Sequence, residues 1–144
     1  MNYSKENVCN ESLKERRILL IEHDPDCADL IIDVLEEDNG KGIKTEVILK
    51  KDGEKAINYF QYEMQSQVSL VILDLNLPKI HGMEVLKFIK KNPKCHSIPV
   101  FIFSISSDDK TIEEAYKNGA NAYIIKPGSY EDFVEKIRIL KEYY

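Results

Sequence analysis

The sequence predicts an α/β fold: a doubly wound, five-stranded parallel sheet, order 2-1-3-4-5, flanked by five helices. Three observations predict it. Short runs that are apolar on both alternating faces, at Ile18 to Ile21, Leu70 to Leu73 and Val100 to Phe103, fit strands buried on both sides. Stretches with apolar residues at helical spacing alternate with these runs. No break in composition divides the 144 residues, and that length suits one core. Consecutive βα units with right-handed crossovers give a parallel sheet covered on both faces. A looser, more polar run, Ile43 to Leu49, fits an edge strand wound to the other side, with the switch point between strands one and three.

Each element has its own signal. Residues 1–15 are polar and mixed in charge and read as a flexible arm, leaving 16–144 as the domain. Strand one, Arg16 to Ile21, runs into Glu22-His23-Asp24-Pro25. Asp24 fits an N-cap and Pro25 the first turn of a helix that carries Leu30, Ile31, Val34 and Leu35 on one stripe and stops near Asn39-Gly40. Asp52-Gly53 turns the chain after the edge strand. Glu54 to Met64 reads as a second helix, with Ala56, Ile57 and Phe60 inward. Strand three, Leu70 to Leu75, runs into Asp74 and is closed by Pro78. After Gly82 a third helix runs from Met83 to about Lys91, with Val85, Leu86 and Ile89 inward, and Asn92-Pro93 ends it. Pro99 to Ser104 is strand four. Asp108 or Asp109 caps a fourth helix carrying Ile112, Ala115 and Tyr116, and Gly119 ends it. Ala122 to Ile125 is the last strand. Ser129 caps a fifth helix in which Phe133, Ile137 and Leu140 recur at helical spacing.

Composition narrows the function. A net charge of -5 and the lack of a basic stripe argue against direct nucleic-acid binding. The apolar runs are too short to span a bilayer. Three cysteines, Cys9, Cys27 and Cys95, far apart and odd in number, form neither a disulfide framework nor a zinc pattern, so a reducing, cytoplasmic location is expected.

Asp74 carries the chemistry. Inside an apolar run a carboxylate is costly, but at the strand's mouth it is tolerable, and in an open α/β sheet that mouth is where ligands bind. Four strands end in polar residues at the same end: Glu22, His23 and Asp24 after the first, Asp74 after the third, Ser104 after the fourth, Lys126 after the fifth. Parallel strands bring these to one crevice. Such a carboxylate cluster suits a hard divalent cation such as magnesium. A carboxylate beside that ion can attack a phosphoryl donor and become an acyl phosphate, with Lys126 offsetting charge on the phosphoryl oxygens and Ser104 donating a hydrogen bond. Taken singly, Asp74 can also be read as a loop cap, Lys126 as a solvated lysine before a turn and Ser104 as a backbone-bonded hydroxyl. Their company favours the site. His23 reads as a ligand or as a mouth histidine facing solvent, and His81 and His96 as surface or loop residues.

At these residues the chain resembles a response-regulator receiver domain, the phosphoacceptor module of two-component signalling. The motifs are Ile-Leu-Leu-Ile-Glu22, Leu-Asp74-Leu-Asn-Leu-Pro78, Gly82, Pro-Val-Phe-Ile-Phe-Ser104, Gly119-Ala120-Asn121-Ala122-Tyr123 and Lys126-Pro127. It is most similar to the single-domain receivers that partner bacterial phytochromes. The resemblance implies that Asp74 is the phosphoacceptor. It implies that Glu22, Asp74 and the backbone carbonyl of Asn76 hold Mg2+ or Mn2+, with His23 or Asp24 as a further candidate. It implies that Ser104 and Tyr123 form the switch, that Lys126 pairs with the phosphoryl oxygens, and that its bond to Pro127 is cis. Receivers carry a second acid where this chain has His23, a poorer magnesium ligand, so metal affinity is expected to fall. Ile105, branched where a small residue is common, is expected to narrow access to Asp74. The resulting reading is a single-domain response regulator without an output domain. A sensor histidine kinase phosphorylates it, it signals by contact with a downstream protein, and it forms a reversible homodimer through the last strand and last helix. The alternative is a pseudo-receiver, the same fold used as an interaction module and not phosphorylated because of His23. A metal-dependent phosphatase wants a second carboxylate just after the nucleophile, where Leu75 and Asn76 stand.

Overall fold

The computed structural model describes residues 15–143 except 39 and 41. Strands β1 (Glu15–Ile21), β2 (Lys44–Lys50), β3 (Leu70–Leu73), β4 (Val100–Ser104) and β5 (Ala122–Ile125) form one parallel sheet in the order β2-β1-β3-β4-β5, as the sequence predicts. Helices α1 (Pro25–Glu36), α2 (Gly53–Asn58), α3 (Gly82–Lys91), α4 (Asp109–Lys117) and α5 (Tyr130–Tyr143) follow the strands in turn.

The core lies in two layers because the strand period is two. Along β1, Leu19 and Ile21 face one layer and Ile18 and Leu20 the other. The first layer packs Val71, Leu73 and Ile102 against Phe60, Leu86 and Ile89. The second packs Leu70, Ile72 and Phe103 against Ile31, Leu35 and Ile137. Each such side chain contributes about 1.5–3 kcal/mol by leaving water.

Register decides where the strand ends fall. Ile21 lies opposite Leu73, Leu73 opposite Ile102, and Ser104 opposite Ile125. The ladder runs one residue past the strands: Asp74 N donates to Ile21 O at 3.0 Å and Lys126 N to Ser104 O at 2.8 Å. Glu22, Asp74, Ser104 and Lys126 therefore leave the sheet at neighbouring heights.

Some details differ from the sequence expectations. The arm expected over 1–15 lies outside the described residues except Glu15, which opens β1. α1 ends at Glu36 rather than near Asn39-Gly40, and Asn39 is outside the described residues. Its last turn is closed from across the fold, because Lys141 Nζ on α5 donates to the carbonyls of Val34 and Glu37. The second helix is α-helical only to Asn58 and continues as a π-turn over Tyr59–Glu63, where Met64 N donates to Tyr59 O at 2.8 Å. Of the apolar positions expected on α4 only Ala115 is buried, and Tyr116 is half exposed, because α4 flanks the last strand pair. No described peptide bond is cis, so the Lys126–Pro127 bond is trans, the isomer favoured by about 0.5–1 kcal/mol before proline. Among the described residues no helix is long and apolar enough to cross a membrane.

Candidate functional site

Asp74, Glu22 and Lys126 meet at the carboxyl ends of β1, β3 and β5. Lys126 Nζ lies 2.8 Å from Glu22 Oε1 and 3.2 Å from Asp74 Oδ2. Both carboxylates are almost fully buried, Glu22 at 2% and Asp74 at 6% exposure. Each has further donors. Asn76 N donates to Asp74 Oδ1 at 3.2 Å. Asp24 N donates to Glu22 Oε2 at 3.1 Å, and Cys27 Sγ to Glu22 Oε1 at 3.4 Å.

Two buried negative charges share one ammonium, and the electrostatics follow. Burial, then the charge of Glu22, pushes the Asp74 carboxyl above its ordinary range, against the opposing pull of Lys126 and the Asn76 N–H. Burial works against the charge of Lys126, yet the bond to Glu22 and the charge of Asp74 carry its pKa above the usual lysine value. Burial and the adjacent Glu22 push the Cys27 thiol up to about 12, so it is a hydrogen-bond donor rather than a nucleophile.

A stability prediction comes from the Asp74 shift. A carboxyl whose folded pKa is raised stabilises the fold when protonated and weakens it as pH rises through the folded value. Asp74→Asn is therefore expected to melt a few degrees above wild type at pH 7, the change about 1 kcal/mol makes in a domain of this size. The gain shrinks as pH falls into the carboxylate range. Thermal melts at pH 7 and pH 4 check it, and a lower melting temperature at pH 7 contradicts it.

The other expected site residues divide. Ser104 is fully buried at the end of β4, and its Oγ accepts from Ser106 N at 3.3 Å. Tyr123 is half-buried, and its hydroxyl donates to Ser106 O at 2.8 Å. The β4–α4 loop is thus held from both sides by the two expected switch residues. His23 and Asp24 do not join the cluster. His23 is exposed, and the Asp24 carboxylate caps α1, accepting from Asp26 N and Cys27 N. Asn76 is exposed on the loop after Asp74. Ile105 is 69% exposed, pointing into solvent rather than over Asp74. Among the described residues no group of three His, Cys, Asp or Glu side chains is arranged to hold a metal ion. Two carboxylates at one mouth nevertheless suit magnesium, which keeps several waters and takes one or two carboxylates plus phosphate oxygens.

Sequence reasoning passed over two residues. Cys27 reaches Glu22 from the first turn of α1; its place five residues after the acid, on a helix starting at Pro25, was the available signal. His81 is the N-cap of α3, its Nδ1 accepting from Met83 N at 3.1 Å. Its signal was its position just before Gly82, although histidine is not among the usual caps.

Comparison with known proteins agrees with this geometry. Residues 18–138 match the response regulator receiver domain family. The chain is 31% identical over 141 residues to the response regulator Rcp1 of Synechocystis sp., covering 95% of this chain and 94% of that protein. It is 35% identical over 130 residues to a probable methanogenesis regulatory protein, FilR2, of Methanothrix harundinacea, covering 88% and 82%. Among solved structures, the phosphorylated cyanobacterial phytochrome response regulator RcpA superposes with a TM-score of 0.84 at 30% identity, covering 90% of this chain and 94% of that one. The Mn2+-bound form of Rcp1 superposes with a TM-score of 0.82 at 30% identity, covering 89% and 93%. Carrying an acid at each of two adjacent strand ends, a lysine between them and the sheet order that brings them together, the chain belongs to the response regulator receiver domain family.

Proposed function

We propose that Asp74 accepts a phosphoryl group from a sensor histidine kinase in the cytoplasm and that the phosphorylated chain signals through protein contact. The observation that carries this is the position of Lys126 Nζ, within hydrogen-bond reach of both Glu22 and Asp74 at a buried strand mouth. An Asp74 carboxylate oxygen attacks phosphorus, the P–N bond to the kinase histidine breaks, and the imidazole leaves as the acyl phosphate forms. Lys126 stays paired with Glu22 and offers its remaining protons to the phosphoryl oxygens. Ser104 accepts from Ser106 N and keeps its own hydroxyl hydrogen for a phosphoryl oxygen. Through Ser106, which also takes the Tyr123 hydroxyl, a pull on Ser104 reaches β5 and its exposed face at Ile125.

When bound, a divalent cation supplies neutralising charge for the phosphoryl oxygens. Glu22, Asp74 and the backbone carbonyl of Asn76 would hold it, and the likeness to the Mn2+-bound form of Rcp1 supports a divalent cation as the occupant. The likeness to Rcp1 and to the phytochrome response regulator RcpA supports a phytochrome-type kinase as the donor. One observation favours the alternative of an unphosphorylated interaction module: His23, in the place of the usual second acid, faces solvent.

Incubation with a small phosphodonor and Mg2+ or Mn2+, read by intact mass, separates the two. Wild type is expected to gain one phosphoryl increment and Asp74→Asn none. Wild type that gains none with either metal, from the small donor or a histidine kinase, leaves the interaction module as the reading.

A further inference from the structure

α3 is capped in an unusual way. A helix start is ordinarily capped by Ser, Thr, Asp or Asn, whose oxygens accept throughout the neutral range. Here the acceptor is an imidazole nitrogen, His81 Nδ1, 3.1 Å from Met83 N. Neutral imidazole has one such acceptor; the imidazolium has two N–H donors and no acceptor. Protonation therefore breaks the cap. It also places a positive charge at the end of the helix that already carries the positive pole. The ring is exposed, so the proton has open access from solvent.

Beneath this cap lies the backbone of Asp74. The next residue, Gly82, donates its N–H to Leu75 O at 2.9 Å, and a Cβ there would lie 2.3 Å from Asp74 O. The segment before the cap has no slack either. Lys79 is held in the left-handed region at φ 70, with its ammonium 3.7 Å from Asp52 and 3.8 Å from Glu54. Ile80 O is pressed against the start of α2, where a Cβ on Gly53 would lie 2.3 Å away. Residues 78–82 are thus wedged between the start of α2 and the end of β3, and a shift at the cap passes to Asp74.

The charged groups at this corner are Glu84 on α3, Lys79 in the loop, and Asp52 and Glu54 at the start of α2. Glu84 favours the imidazolium but is shared with Lys87 at 3.4 Å, and the Lys79 charge is taken up by Asp52 and Glu54. None of these restores an acceptor for Met83 N.

We propose that His81 is a positioning residue for Asp74, one that holds the backbone of the phosphoacceptor in place only while its imidazole is neutral. The functional half of this proposal rests on Asp74 being the phosphoacceptor, and the structural half does not. Protonation of an imidazole is the usual pH switch among side chains, so the site becomes sensitive to acidification.

The test compares wild type with His81→Asn, which caps without titrating, and His81→Ala, which does not cap. Urea unfolding gives the folding equilibrium constant of each at pH 8 and pH 5, and ratios between variants cancel the titration of other groups. The wild-type to Asn ratio is expected to fall about ten-fold between pH 8 and pH 5, and wild type to approach His81→Ala. A ratio constant with pH overturns the proposal. Phosphodonor labelling of Asp74 gives the second readout, again as wild type over Asn at the two pH values. A fall in that ratio alongside the stability ratio supports positioning. A stability ratio that moves while the labelling ratio stays level makes the cap structural only and overturns positioning. Absence of labelling in wild type at pH 8 defeats the phosphoacceptor reading and positioning with it, while the stability ratio still reports on the cap by itself.

Discussion

Lys126→Met is expected to destabilise the protein by about 3–5 kcal/mol at neutral pH, the cost of leaving buried charge without its partner. The ammonium is the one cation within 4 Å of Glu22 and of Asp74 among the described residues. Methionine keeps an unbranched apolar stem and removes the charge, together with the ammonium's place 5.8 Å over the Phe103 ring. Two carboxylates, both nearly inaccessible to water, are then left facing each other. Asp74 already sits above its ordinary pKa with Lys126 in place, so the loss pushes it higher still. The sign with pH follows. A raised carboxyl pKa means stability present at low pH and lost as pH rises through the folded value. The deficit of the variant is therefore largest at neutral pH and shrinks as pH falls toward the range in which carboxylates protonate. Urea unfolding of both proteins at pH 7.5 and pH 4.5, followed by circular dichroism, measures it. A deficit below 1 kcal/mol at pH 7.5, or one that does not change with pH, contradicts the electrostatic account. Phosphodonor labelling of Asp74 is expected to fall about 10²- to 10³-fold, the usual cost of removing one preorganised donor to a reacting oxyanion.

The same cluster marks how far sequence carries the structure. Ile18 to Ile21, Leu70 to Leu73 and Val100 to Phe103 are apolar on both faces, which fits a sheet covered on two sides, and the alternating helices supply its layers; the order 2-1-3-4-5 is one of the doubly wound orders that this pattern allows, and it is the one the structure has. Asp74, Glu22, Ser104 and Lys126 were legible as neighbours because each ends or directly follows a strand, and parallel strands align their ends. Legibility stopped where direction, rather than position, decides. Asp24 and His23 sit beside Glu22 in the chain, but one carboxylate turns to cap α1 and the other ring turns to solvent. Cys27 and His81 act through single hydrogen bonds that no periodicity encodes. Tyr116 fits the helical stripe of α4, yet lies beyond the area that the last strand pair covers. The π-turn at Tyr59–Glu63 changes the winding without changing the apolar pattern that predicts a helix there.

Gly82→Ala is expected to destabilise by roughly 3 kcal/mol or more, the range of severe steric strain in a core. Helix propensity alone argues the reverse, because alanine in a helix is better than glycine by about 1 kcal/mol. Space decides the sign. A Cβ at residue 82 would lie 2.3 Å from Asp74 O, 2.5 Å from Leu75 Cα and 3.0 Å from Leu75 O, and all three are backbone atoms. Backbone cannot rotate out of the way as a long side chain can. Either α3 withdraws from β3, losing the bond from Gly82 N to Leu75 O and the packing of Val85, Leu86 and Ile89, or Asp74 moves. In the second case the distance from Asp74 to Lys126 changes, so labelling falls together with stability; in the first, stability falls alone. Gly128→Ala is the control: it lies two residues past Lys126 in the β5–α5 loop, and a Cβ there meets nothing within 4 Å. Its expected effect is within about 0.5 kcal/mol. Paired melts of the two variants settle the matter, since a Gly82→Ala protein as stable as Gly128→Ala, with undiminished labelling, means that the close approach of α3 to the Asp74 backbone does not position that carboxylate.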